Sequence, residues 1–365
     1  MGATSSTTQI GLSNQGSGHG TAPAASFLDL VLTEAGASPR ITVDPGGDEF
    51  GIGGLYATDA GQRLGIYTPI TGVGRIRAGG GLLGLLYAAG MATTATTGTA
   101  PALTHTLSPA ATDAAFPWSS FRHSVASGSN NLIRILSDAR IRVLEIEAVA
   151  NSLPRLTFEA LASHEEIATG IERHTDEERP VLTSVAGSIT LGKAGGGTIA
   201  GNIRRATVTL AHDFPAPEDE IHVGGTEAGW ITWLGVSLDG EIEALFDRDI
   251  FLDLIYGGVG TAGAGYDLDD VSGDLALTLE SASNIPGTAT PYSLTVTVPN
   301  LIARLGEWRS AGRNQIRLPI VWRAYQSGAD ELVEYAVTTD QATVARTIAA
   351  GTWSGAGLTY TARSA

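Results

Sequence analysis

The stretch Asn130–Ala162, NNLIRILSDARIRVLEIEAVANSLPRLTFEALA, decides the fold. In its first half Leu144, Ile146 and Ala148 alternate with Glu145 and Glu147; in its second, Leu156, Phe158 and Ala160 alternate with Arg155, Thr157 and Glu159. A period of two belongs to a strand with one apolar and one polar face, so the stretch reads as a two-faced β-hairpin. Ile141 and Val143 set the opposite phase. The adjoining pair Val143 and Leu144 therefore predicts a β-bulge that bends the first strand. A bent, two-faced hairpin suits the wall of a barrel.

The pattern returns downstream. Leu275, Leu277 and Leu279 alternate with Asp274, Thr278 and Glu280, and after Ser281–Thr290 come Leu294, Val296 and Val298 alternating with Ser293, Thr295 and Thr297. From Leu144 to Leu275 is 131 positions and from Leu156 to Leu294 is 138, an offset that suggests duplication without requiring it.

With 365 residues, 43% of them hydrophobic, the chain has material for two domains or one large β domain. Charged residues make up only 16%, while glycine (47) and threonine abound. Such a surface is small, neutral and hydroxylated, and it buries against copies of itself with few charges to desolvate. A net charge of −16 is the wrong sign for a protein that grips nucleic acid by its phosphates. It suits a surface past which DNA slides without sticking. There is no cysteine, hence no disulfide and no thiolate metal site. Lys193 is the sole lysine; a G+C-rich genome explains the arginine bias more simply than bidentate pairing at contacts does. The N-terminal sequence lacks the basic and apolar regions of a secretory signal, and MGATSS fits the myristoylation pattern only as chance would. No window reaches the ~18 apolar residues of a spanning helix.

In chain order, residues 1–25 form a Ser/Thr/Gly-rich stretch expected to be a flexible N-terminal arm. Residues 26–180 make a first β domain. Short strands at Phe27–Thr33 and Arg40–Val43 precede an extended, glycine-rich loop at about 44–75. Its Phe50, Ile52, Leu55, Tyr56, Ile66 and Tyr67 would be poorly buried in a lone subunit and are expected to pack on another. Leu82–Ala89 (LLGLLYAA), stopped by Gly90, reads as a buried helix. Leu103–Leu107 and Trp118–Val125 read as strands, and the charged segment Ser163–Pro180 as a linker or exposed loop. Residues 181–365 make a second β domain, with strands at Ser184–Leu191, Asn202–Ala211 and Trp230–Leu238. A helix follows over Leu245–Tyr256, and a last hairpin is formed by Ile316–Tyr325 and Leu332–Val337.

Chemical motifs carry little. Gly79–Gly84 satisfies G-x-G-x-x-G before a helix, but no βαβ alternation surrounds it and the next acid is Asp113, so a glycine hinge is the better reading and no cofactor is expected. Gly192-Lys193 lacks the rest of a phosphate loop, and G-x-S-x-G does not occur. His164, His174, His212 and His222 match no zinc spacing. Asp44, Asp48 and Glu49, and Asp267, Asp269 and Asp270, lack the spacing of a calcium loop and read as turn carboxylates. Glu145 with Glu147, or Glu241 with Glu243, are too ordinary a pattern to argue for a glycosidase pair. No catalytic residue, cofactor or metal site is expected.

Together, GGGLLGLLYAAGM, TAPALTHTLSPAATDAAFPW with its Thr104-His105-Thr106 strand ending at Pro109, and LSDARIRVLEIEAVANSLPRLTFEALA resemble the tail tube proteins of long-tailed bacteriophages. TSVAGSITL, VTLAHDF, GVSLDGEIEALFDRDIFLDLIYGG and YSLTVTVPNLIARL follow the same order, so the likeness spans about residues 65–325. It rests on strand and turn patterns with no diagnostic signature. The resemblance implies a mainly β fold of two tandem sandwich or barrel domains, each with a short helix. It also implies a virion protein made in the host cytoplasm that assembles into rings stacked as a hollow tail. Members with one such domain form six-subunit rings, so a chain with two would close the ring from three copies. Tape-measure, tail-terminator and baseplate proteins are the implied partners; DNA passes through unbound, and no membrane is involved. On this reading Glu145, Glu147, Thr157, Glu159, Thr278, Glu280, Thr295 and Thr297 face the lumen, while Leu144, Ile146, Leu156, Phe158, Leu277, Leu279, Leu294, Val296 and Val298 pack on the opposite side. The alternatives are another self-assembling β-rich protein (a tail fibre, decoration or surface-layer subunit) and a carbohydrate-active β-sandwich enzyme.

Overall fold

A computed structural model describes residues 8–15, 19–20, 27–44, 62–109, 116–125, 132–168, 179–194, 197–200, 202–215, 217–220, 231–256, 271–307 and 316–341. Over the described residues the protein is mainly β, with two α-helices and one large antiparallel sheet.

The founding hairpin is β9 (Leu132–Val149) with β10 (Arg155–Ala168). Its bulge is real and lies one position before the expected one. Glu159 faces Val143 and Ala160 faces Ile141, so Arg142 is the extra residue. Beyond the bulge Leu144, Ile146 and Ala148 are buried and Val143, Glu145 and Glu147 half-exposed; before it, every residue from Ile133 to Ile141 is buried. The bulge therefore marks where β9 passes from a region covered on both faces to one with a free face. One edge of β9 is taken throughout by β10. The other is shared between β8 (Ser119–Val125) below the bulge and β13 (Ile203–Asp213) above it.

The arm expected over residues 1–25 is in part a core strand. β1 (Thr8–Asn14) lies between β2 (Leu28–Leu30) and β8, with Ile10 and Leu12 fully buried. Asp138 secures its end. At φ 52° this residue kinks β9, and its buried carboxylate accepts hydrogen bonds from Gln15 Nε2 (2.8 Å) and the Gly20 N–H (2.7 Å). Part of the loop expected over residues 44–75 is strand as well. β5 (Gln62–Arg75) pairs with β10 on one side and with β3 (Leu32–Ala37) and β4 (Arg40–Asp44) on the other. The segment expected as a linker from Ser163 begins as the last turn-free part of β10, which runs to Ala168.

Two further long strands form the second hairpin, β15 (Val271–Asn284) with β16 (Pro291–Leu305). Here the second strand carries the divided edge. β16 pairs with β18 (Glu334–Thr339) along Ser293–Thr297 and with β17 (Arg317–Ala324) along Leu301–Leu305. β17 and β18, expected to form a hairpin with each other, instead lie end to end along β16, because the chain between them crosses from one half of that edge to the other. β14 (Gly235–Leu245) joins β13 to β17, and β11 (Leu182–Lys193) flanks β15 with short β12 (Thr198–Ala200) beside its end.

The halves of the chain interlock. β13 adds to β9, and β18 adds to β7 (Ala102–Pro109), which pairs in turn with β6 (Met91–Thr99). One apolar cluster runs through both, from Ile10 to Val337. The helix expected at Leu82–Ala89 is α1 (Gly80–Ala88), its leucines buried; Gly90 at φ 81° ends it where any Cβ would lie 2.4 Å from the Phe116 ring. The helix expected from Leu245 is α2 (Arg248–Tyr256). It starts later because β14 continues to Leu245 and Asp247 caps it, accepting the Asp249 N–H at 2.7 Å.

Candidate functional site

The feature with functional content is the half-exposed face of the sheet, which divides into two chemically distinct sections. The first crosses β5, β10, β9, β13, β14 and β17. Register aligns Arg75, Arg155, Glu147 and Thr207 in one row and Val73, Thr157, Glu145, Thr209, Asp239 and Arg323 in the next. Both signs are interspersed and largely matched. Arg205 Nε donates to Glu147 at 2.8 Å, Arg317 pairs with Glu243, and Arg142 lies 4.0 Å from Glu159. Two of the carboxylates expected to face a lumen, Glu147 and Glu159, are thus partly neutralised by arginines, Arg205 from β13 and Arg142 at the bulge of β9.

These pairs contribute little to stability, since the side chains of Arg205 and Glu147 are 46% and 22% exposed. Replacing Arg205 by alanine is expected to change unfolding free energy by less than about 1 kcal/mol, with the difference shrinking further at high salt. Denaturant titrations at two ionic strengths check this.

The second section crosses β6, β7, β18, β16, β15 and β11 and is almost free of charge. Its rows read Thr97, Thr104, Thr338, Ser293, Glu280, Thr183 and then Ala95, Thr106, Ala336, Thr295, Thr278, Ser188. Hydroxyls link the strands: Thr104 Oγ1 lies 2.9 Å from Thr338 Oγ1, and Thr278 Oγ1 lies 3.3 Å from Thr295 Oγ1. Among the described residues Asp274, Glu280 and Glu334 interrupt it, with Thr297 opposite Glu334. Of the eight residues expected to face a lumen, Glu145, Glu147, Thr157 and Glu159 lie in the charged section and Thr278, Glu280, Thr295 and Thr297 in the hydroxyl section; all eight are half-exposed. Thr104 and Thr106, read from sequence only as part of the Thr104-His105-Thr106 strand, and Thr338 belong to the same face, which they join through the long-range pairing of β7 with β18.

The residues expected on the packed side, Leu144, Ile146, Leu156, Phe158, Leu277, Leu279, Leu294, Val296 and Val298, are all buried. Phe50, Ile52, Leu55 and Tyr56 lie outside the described residues, whereas Ile66 and Tyr67 sit on β5 opposite Ile41 and Arg40. Asp48, Glu49, Asp267, Asp269, Asp270, His174 and His222 are likewise outside, and Asp44 ends β4. Among the described residues no group of three or more metal-binding side chains gathers. Gly79–Gly84 follows the antiparallel strand β5 and opens α1, with Gly81 lining a pocket beside Leu30, Arg75, Arg77 and Leu82.

Two interior polar clusters escaped the sequence reading. Arg134 grips Glu165 through two bonds of 2.6 and 2.7 Å and donates a third, at 2.7 Å, to the Ala37 carbonyl. This arginine holds the Glu165 carboxyl below the usual range, and burial lowers the neighbouring His123. In the second cluster Trp233 Nε1 donates to His212 Nδ1 (3.1 Å) and His212 Nε2 donates to the Ala89 carbonyl (2.9 Å). Phe116 packs edge-on at 4.7 Å, and the Arg140 guanidinium stacks 4.0 Å from the Trp118 ring. Burial first, and Arg140 after it, push the His212 pKa down to about 4. Both clusters brace the junction of strands far apart in sequence. No protein-family model matches this chain, and no curated protein matches it either.

Proposed function

We propose that this protein is a structural subunit that assembles with copies of itself into stacked rings, forming a hollow tube of the bacteriophage tail kind that conducts DNA. The observation that carries the reading is the wide antiparallel sheet with one fully packed face and one half-exposed face rich in hydroxyls and ion-paired carboxylates. Such a face has little in it for a small ligand to grip, but it makes a smooth wall. Hydroxyls and carboxylates hydrate well, and a net charge of −16 repels phosphate, so a DNA duplex passing within a Debye length finds no site to hold it.

In this reading Glu145, Glu147, Thr157, Glu159, Thr278, Glu280, Thr295 and Thr297 line the bore, and three copies close a ring in which each fills two of six positions. Tape-measure and terminator or baseplate proteins are the partners, and the virion tail is the location. Negative-stain electron microscopy of concentrated purified protein tests it. Tubes of uniform bore are the expected result; flat lattices, spikes or dispersed monomers overturn it.

A further inference from the structure

Two sheet edges stand out in a chain of such high net charge. No charged residue lies between Arg77 and Asp113, which includes all of β6, and none lies between Arg179 and Lys193, which includes nearly all of β11. These two strands are the outer members of the hydroxyl section, β6 at one end and β11 at the other. Among the described residues β6 pairs only with β7; β11, beyond its partner β15, meets the short β12 at Leu191 and Gly192 and is held at its start by the Leu182 N–H on the Ile76 carbonyl and by Ser184 Oγ on the Val149 and Ser152 carbonyls, which leaves Val185–Thr190 as its open edge. β6 is exposed from Thr94 to Thr99, and on β11 Val185, Ala186, Ser188 and Thr190 are exposed. Neither strand carries proline, and the one charge on either is Lys193 at the far end of β11, so both lack the run of charges with which monomeric proteins blunt an open edge.

We propose that β6 of one copy adds to β11 of the next, so that the hydroxyl sections of successive copies fuse into one continuous sheet. Strand parity permits it. The section has six strands, each antiparallel to its neighbour, so β6 and β11 run in opposite directions and their junction extends the alternation without a parallel pair. The contact is heterologous, joining two different edges, which is the kind that closes a ring when the rotation per copy allows. Charge selects it: copies that each carry −16 repel, and these are the edges where approach desolvates no ion. β-Branched threonines supply pairing propensity on both sides of the junction. The inference rests on the self-assembly reading and adds to it the identity of the subunit contact.

The absence of native cysteine makes the contact readable by disulfide trapping. Ser188→Cys is combined in one chain with Ala95→Cys, Thr97→Cys or Thr99→Cys, alternate positions along β6 that cover a register slip of two residues either way. Mild oxidation of at least one double variant should give a ladder of covalent oligomers, while mixing the two single variants should stop at dimers containing one of each. A dimer from Ala95→Cys alone would mean β6 pairs with itself and overturns the proposal, as does the lack of any cross-link in all three double variants after assembly. In parallel, Thr97→Lys together with Ser188→Lys, both exposed positions, should abolish assembly while leaving the circular-dichroism spectrum and melting temperature near those of the parent; unimpaired assembly counts against the contact. If electron microscopy shows tubes but no variant cross-links, this contact fails and the tube stands; if the variants cross-link into closed rings or sheets that never stack, the contact stands and the tube fails.

Discussion

Phe158→Ala is expected to lower the free energy of unfolding by about 3–5 kcal/mol, the range for truncating a fully buried aromatic side chain. Phe158 is 0% exposed and stacks on Phe121 with ring centroids 5.8 Å apart. It also fills the space that Gly72 leaves on β5, where an added Cβ would come within 2.3 Å of its ring. The surroundings cannot collapse into the cavity, because β5, β9 and β10 are held at fixed spacing by their ladders and a glycine has no side chain to move. Phe158→Leu keeps most of the volume and should lose distinctly less. Urea unfolding of both variants checks the size and the order; a Phe158→Ala loss below about 1 kcal/mol would mean the hairpin is not packed as described.

The second large effect is loss of stability in acid through His212. The folded protein holds this imidazole neutral, with a pKa lowered from 6.5 to about 4, because burial and the nearby Arg140 oppose the charge and Nδ1 is already occupied as an acceptor from Trp233. The unfolded chain therefore binds the extra proton more readily. Its contribution is complete above the ordinary histidine range and is lost progressively as pH falls from about 6.5 to about 4, amounting to about 3 kcal/mol if the whole difference is realised. His123, also lowered, adds to the same slope. Glu165 acts lower down: its depressed carboxyl contributes above the ordinary glutamate range and is lost only as pH falls through and below it. Unfolding midpoints measured between pH 7 and 4.5 should fall, and His212→Gln should flatten the slope. An unchanged slope in that variant would remove His212 as the cause.

Local patterning carried a good deal of the architecture. Strict alternation around Leu144 and Phe158, and again around Leu277 and Val296, was enough to identify the two hairpins and which of their side chains are buried. The phase slip after Ile141 located the bulge to within one residue. Apolar runs stopped by Gly90 and by Gly257-Gly258 marked the two helices, the second read from Leu245 although it begins only at Arg248.

Other features have no local signature. Thr8–Asn14 reads as a polar arm, yet Ile10 and Leu12 alternate across a strand that β2 and β8 together bury. Glu165 looks like part of a charged linker until Arg134, 31 positions away, closes on it. Thr104 and Thr338 become neighbours across 234 positions. The sequence by itself determined which residues prefer a strand or a helix and which face of each strand is apolar, since those follow from side-chain period and backbone propensity within a few residues. Only the tertiary structure decided which edges meet, including the interlocking of β9 with β13 and of β7 with β18 and the division of the exposed face into charged and hydroxyl sections. Every strand edge offers the same N–H and C=O groups, so the choice of partner is made by what the rest of the chain has already covered.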